Sequence, residues 1–164
     1  MKRMASMIFL AGICGGFAEV IWIAIYGAAS QTSSLEVARQ ITASVFPAMA
    51  DSLMAAQLGI VIHMLLAVLL TGIFVWAVWL PYTRRAHRLN FLQAMLISVT
   101  TLSAVWAINF FVILPQLNPA FIGLMPLGVT LLSKMLFGVA MGGVLGQVAR
   151  AAAPYAADDA ATGR

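Results

Sequence analysis

An all-helical integral membrane bundle of four transmembrane spans, with a short amphipathic helix in its first outer loop, is the fold class this sequence predicts. Composition is the first of three observations behind it. Of 164 residues, 63% are hydrophobic and 9% are charged, and the mean hydropathy is +1.00. Soluble domains carry about 25% charged residues, so this chain lacks the polar surface to face water, and its apolar excess must face lipid. The second observation is four apolar runs, Met7 to Ala29, Leu58 to Tyr82, Phe91 to Pro115 and Leu127 to Ala149. Each reaches the roughly 20 residues a helix needs to cross about 30 Å of hydrocarbon. The third is the absence of period-two alternation in any of them, which excludes barrel strands. Residues 1–150 then form one four-helix domain, and 151–164, Ala-rich with Pro154, Asp158 and Asp159, are expected to be a disordered cytoplasmic tail. A cytosolic globular enzyme and a disulfide-stapled secreted module are excluded.

Lys2 and Arg3 ahead of the first run resemble the basic start of a signal peptide. The run continues to Ala29, longer than the 7–15 residues or so of a signal's apolar region, and Ile13 is too bulky to precede a lipid-modified Cys14. It is therefore read as a retained span, and Cys14, the single cysteine, has no internal disulfide partner. Basic residues fix the orientation. Lys2 and Arg3 precede the first span, Arg84, Arg85 and Arg88 separate the second and third, and Arg150 follows the fourth, whereas the first loop holds only Arg39, offset by Glu36 and Asp51. The positive-inside rule places both termini and the Arg84–Arg88 loop in the cytoplasm of a bacterial cell, with the chain in the inner membrane. Tyr26, Trp76, Trp79 and Tyr82 stand near span ends, where amphipathic rings favour the interface. The net charge of +4 is spread over span ends rather than gathered in a patch, so nucleic acid is not an expected partner.

In the first loop, Ser33 and Glu36 have capping-box spacing, and Leu35, Ala38, Ile41, Thr42, Val45 and Phe46 recur at helical spacing. This predicts a short amphipathic helix on the outer face, broken by Pro47, with helix resuming over Ala48 to Gln57. In the third loop Asn118 is placed to cap, Pro119 to take the first helical position, and Pro126 to restart the last helix.

Ionisable groups inside a span cost about 2.5–3.5 kcal/mol each on insertion scales and so mark partners or roles. Glu19, His63 and Lys134, with the amide of Asn109, place one polar group on each span, all in its outer half. Helical phase puts each on a stripe with small residues, which face neighbouring helices in lipid. Two readings follow: a buried Glu19–Lys134 ion pair with His63 and Asn109 satisfied locally, or Lys134 snorkelling outward; and a polar cavity open to the outer side, serving as proton relay, cation site or quinone pocket. A metal or haem centre is not expected, because Glu19 and His63 give at most two ligands and His87 lies on the cytoplasmic loop; no cofactor is assigned. Gly12 and Gly16, and Gly138, Gly142 and Gly146, have the four-residue spacing of close helix approach. They are expected to pack the first span on the fourth, or to form a dimer face. The ten methionines read as adaptable packing.

The stretch Leu10 to Ile21, with Ala18-Glu19-Val20, resembles the first helix of the small multidrug resistance exporters. That likeness implies a four-helix carrier whose membrane glutamate exchanges protons for cationic drugs, and it carries over only Glu19. The long first loop, His63 and the positive Lys134 depart from that pattern. The second span from Gly59 to Phe74 and the Ser133–Gly138 segment resemble small bacterial four-helix inner-membrane proteins of unknown function, which implies fold and location without a mechanism. With no nucleotide loop, metal cluster or nucleophile–base pair, the leading expectation is a non-enzymatic accessory or assembly partner of a larger membrane system, bound to another membrane protein or to a second copy. The alternative is a proton-coupled small-solute carrier or channel using Glu19.

Overall fold

Apolar runs in lipid must satisfy every backbone N–H and C=O internally. The chain does this with helices. A computed structural model describes residues 2–85 and 90–162, with side chains over 3–84 and 90–148, and contains no strand among them. Helix α1 is Lys2–Ala29 and α2 Ser34–Val45; the second long helix is built from α3 Ala55–Phe74, a π-turn Val75–Trp79 and α4 Leu80–Arg85; the third from α5 Phe91–Ile108, a π-turn Asn109–Ile113 and α6 Leu114–Leu117; α7 is Pro119–Ile122 and α8 Leu127–Thr162. Four helices are long and apolar enough to cross a membrane: Arg3–Ala29, Ala55–Arg84, Phe91–Leu117 and Leu127–Val148. His87 and Arg88, part of the expected cytoplasmic loop, lie outside the described residues.

Both π-turns have the same local cause. Pro81 and Pro115 stand two residues beyond them, and a proline inside an α-helix lacks an N–H and drives its ring into the carbonyl four residues back. Widening the preceding turn moves that carbonyl away, so the helices run through their prolines instead of ending there. At its far end the backbone of α8 continues as helix through Thr162, over the segment expected to lack structure. Alanine, which dominates 151–161, has the highest helix propensity of any residue.

Around the bundle the long helices follow the order α3, α1, α8, α5, each packed on the next. Glycines set how closely. A Cβ on Gly12 would lie 2.7 Å from Val68 Cα, and one on Gly16 2.9 Å from Met64 Sδ, so both face α3. On Gly138 and Gly142 it would lie 2.7 and 2.9 Å from the Cα atoms of Val99 and Met95, and on Gly146 3.1 Å from Phe91, all on α5. The two motifs therefore do not pack the first span on the fourth, as expected, and they are already covered within one chain. Residues four apart on a helix look toward a single neighbour, and for each of these stripes it is the outer helix of the row. Helices α1 and α8 meet instead where the Phe137 ring sits over Gly15, 2.8 Å from the Cβ it lacks.

Phe74, Val75, Trp79, Ala94, Leu102, Phe137, Met141 and Leu145 form the main core, filling the bundle toward its Arg84 end. Trp79 is thus buried, contrary to the interfacial position expected of it, because the π-turn rotates it inward; Trp76, 77% exposed, faces out. At the opposite end α2 lies across α3, burying Val37, Ala38 and Thr42. The Thr42 hydroxyl donates to the Ala55 carbonyl at 2.6 Å, and Gly59 is needed because any Cβ there would run into the Ala38 carbonyl oxygen. Ser33 caps α2 by accepting from the Glu36 N–H, but the return bond of a capping box is missing, since Glu36 Oε1 accepts from Gln40 Nε2 instead. Beyond Phe46 the chain makes a 3₁₀ turn, Pro47–Met49, then successive turns. Helix resumes at Ala55, later than expected.

Candidate functional site

The close approaches of α1 place one carboxylate between three helices. Gly16 lets α3 come in on one side and Gly15 lets α8 come in on the other. Glu19, one turn further, is left 5% exposed between them. From α8, Lys134 Nζ lies 2.9 Å from Glu19 Oε1 and 3.0 Å from Oε2, and the Ser133 hydroxyl donates to Oε1 at 3.3 Å. The ammonium also stands 5.2 Å from the centre of the Phe137 ring, within cation–π range. Lys134 therefore turns inward to Glu19 and does not snorkel.

From α3, His63 Nε2 approaches Glu19 Oε2 to 3.6 Å. That is too long for a hydrogen bond, and Nε2 is buried with no hydrogen-bond partner. Buried polar atoms nearly always find partners, so an open Nε2 beside a carboxylate marks a place for a proton or a ligand atom. Asn109, the first residue of the third helix's π-turn, makes no hydrogen bond with its amide among the described side chains. It lines the same cavity as the other three without touching them. Of the four polar residues expected to converge, the structure brings Glu19, His63 and Lys134 into contact and places Asn109 on the wall of the same cavity.

That cavity has a volume of about 460 Å³, within the usual size of a small-ligand pocket. Its walls are mainly apolar side chains such as Ile23, Leu70, Phe110 and Phe121, and the Glu19 cluster supplies its charged groups. Helix α2 roofs it through Leu35, Val37, Ile41 and Val45. The roof is latched to the third loop: Asn118 Nδ2 donates to Gln40 O at 3.2 Å, Gln40 Oε1 at 3.0 Å and Ser44 Oγ at 3.0 Å, while Asn118 Oδ1 caps α7 by accepting from the Phe121 N–H. Two indoles brace the walls, Trp22 donating to Val129 O and Trp106 to Thr130 Oγ1, both at 3.0 Å.

Ser133, Phe137 and the latch on Asn118 are the site residues that sequence reasoning missed. Ser133 carried one readable sign, a hydroxyl beside the only lysine in an apolar run; the other two depend on how helices far apart in sequence meet. Among the described residues no three His, Cys, Asp or Glu side chains gather as a metal site. Two carboxylate oxygens, an ammonium and an imidazole can exchange protons and bind a polar head in an apolar chamber. The chain matches no protein-family model, and no curated protein or solved structure is significantly similar to it.

Proposed function

We propose that this protein is a non-enzymatic multi-pass membrane protein that acts as a proton-coupled carrier of a small, mainly apolar solute, with Glu19 as the group that gains and loses the proton. One observation carries the reading: a buried carboxylate lines a mainly apolar cavity large enough for a ligand. Ionisable groups at this depth are functional candidates by default, and an ion pair made only for stability is easily replaced by apolar packing. Placed in a bacterial inner membrane with both termini cytoplasmic, the cavity occupies the outer half of the bilayer. The groups facing Glu19 are His63 from α3 and Lys134 with Ser133 from α8; α5 contributes no titratable side chain there. Because Lys134 already balances Glu19, a lipophilic cation, the cargo implied by the exporter resemblance, has no free charge to meet. An uncharged or acidic head group suits the site better.

A second reading, the accessory subunit, is favoured by one surface feature. Phe46, Met49, Leu53 and Met54 are exposed around the turn after α2, Leu53 by 98%, and the lipid interface or a membrane-protein partner would cover them.

The carrier reading is tested in proteoliposomes with an imposed pH gradient and a panel of lipophilic acids, alcohols and amines. The native protein should give gradient-driven uptake of at least one of them, and Glu19→Gln none. Uptake that ignores the gradient, or that survives Glu19→Gln unchanged, overturns the reading.

A further inference from the structure

The second and third long helices stand at opposite ends of the packing order and make little backbone approach to each other. Toward the α2 end both of them line the cavity. Ile60 and Leu66 from α3 and Ile113 and Leu117 from the third helix all line the cavity, yet they are 41%, 48%, 43% and 62% exposed. Side chains that line a chamber and face the bundle's flank at once form the rim of an opening. Leu35 and Val45 of α2 also line the cavity and are 63% and 44% exposed; since the Asn118 latch holds α2 over the end of the bundle, the rim runs from α2 down the flank, where hydrocarbon would be. A solute that enters there is dissolved in the membrane.

The interior narrows the choice further. We propose that the occupant is a long-chain carboxylic acid taken laterally from the lipid, whose carboxylate replaces Glu19 on the Lys134 ammonium while Glu19 takes up the acid's proton. This rests on the carrier reading in using the same cavity and the same glutamate. The exchange is balanced: a neutral acid and the Glu19–Lys134 pair become a neutral Glu19 and a ligand–Lys134 pair, and no net charge enters the low-dielectric interior. Protonated Glu19 then holds a hydroxyl beside His63 Nε2, the buried atom now without a hydrogen-bond partner and 3.6 Å from Oε2. The Asn109 amide, which lines the same cavity, can donate to the second ligand oxygen. An amine head would set a second cation beside Lys134, and an alcohol would leave the Glu19–Lys134 pair intact and gain at most the amide.

The probe is dansyl-undecanoic acid, titrated into the full-length purified protein in mild detergent, with oleic acid, oleyl alcohol and oleylamine as competitors. Saturable probe fluorescence displaced by oleic acid, and at least about tenfold less well by the alcohol and the amine, is expected, because a charge-assisted hydrogen bond is at stake. Lys134→Met should weaken probe binding about tenfold or more, and Lys134→Arg should retain it. If Lys134→Met does not fold, the double variant Glu19→Leu, Lys134→Met leaves no orphan charge and replaces it. At mildly alkaline pH, where the free probe is an anion, binding should take up one proton in the native protein and none in Glu19→Gln, read with a pH dye in weak buffer. Equal displacement by oleyl alcohol, or binding indifferent to Lys134→Met, overturns the acid assignment and leaves the carrier reading standing. Absence of saturable probe binding also overturns it, while the carrier reading is judged separately by gradient-driven flux of the other solutes.

Discussion

Lys134 meets both oxygens of Glu19, and each partner is the other's main compensation in a region that water reaches poorly. Removing one charge strands the other, which typically costs about 3–5 kcal/mol. Glu19→Leu and Lys134→Met should each lower detergent-phase stability by that order, whereas the double variant should lose clearly less than their sum, since no orphan charge remains. Strictly additive losses in thermal or denaturant unfolding would show that the two side chains do not act as a pair. Rarity made Glu19, His63 and Lys134 legible in the sequence, because ionisable groups in such apolar runs have few innocent explanations. Their partners were less so. Ser133 and the open Nε2 of His63 depend on rotation of α8 and α3 by fractions of a turn, while Asn109, grouped with them by depth and helical phase, lines the same cavity.

At the scale of elements, helix starts and stops were readable where a side chain dictates them. Asn118 caps α7, Pro119 opens it and α8 begins just after Pro126, each a local matter of one cap or one fixed φ. The π-turns were not readable, because Pro81 and Pro115 announce a defect without saying whether the helix will break, kink or widen. Nor was the partner of each glycine stripe, which depends on the order of helices around the bundle. Helix α2 owes its position to contacts of both kinds: the Gly59 notch and Thr42 bond toward α3, and the Asn118 latch toward the third loop. Asn118→Ala deletes the latch and the α7 cap together, at a cost of about 1–2 kcal/mol. The loss should fall on the roof. Hydrogen exchange of α2 amides is expected to speed up well beyond that of α3 amides at the centre of the second span. Unchanged protection of α2 would mean that the α3 contacts alone hold it down.

Over the whole molecule, packing is uneven from one end to the other. Near Arg84 large side chains such as Phe74, Trp79 and Phe137 fill the centre. Toward α2 the long helices leave a chamber lined by all four of them and roofed by α2. The four apolar runs made the number and type of long helices legible, because runs of that length have one common solution in lipid; a polar cavity toward the outer side was one of two readings of the intramembrane polar residues, whereas its apolar walls and its roof depend on how helices far apart in sequence meet. What the cavity can be used for depends on which face of the membrane it adjoins, and for that we propose an orientation from the basic residues. Lys2, Arg3, Arg84 and Arg85 lie at the end away from α2, which the positive-inside rule assigns to the cytoplasm. Two single-cysteine variants in a Cys14→Ala background decide it: Leu53→Cys, on the turn after α2 where the native side chain is 98% exposed, and Ala86→Cys, in the basic connection outside the described residues. A membrane-impermeant maleimide added to intact spheroplasts should label Leu53→Cys at once and Ala86→Cys only after permeabilisation. The reverse pattern would turn the chamber toward the cytoplasmic leaflet, and the solute that exchanges with Glu19 would then have to be supplied from inside the cell.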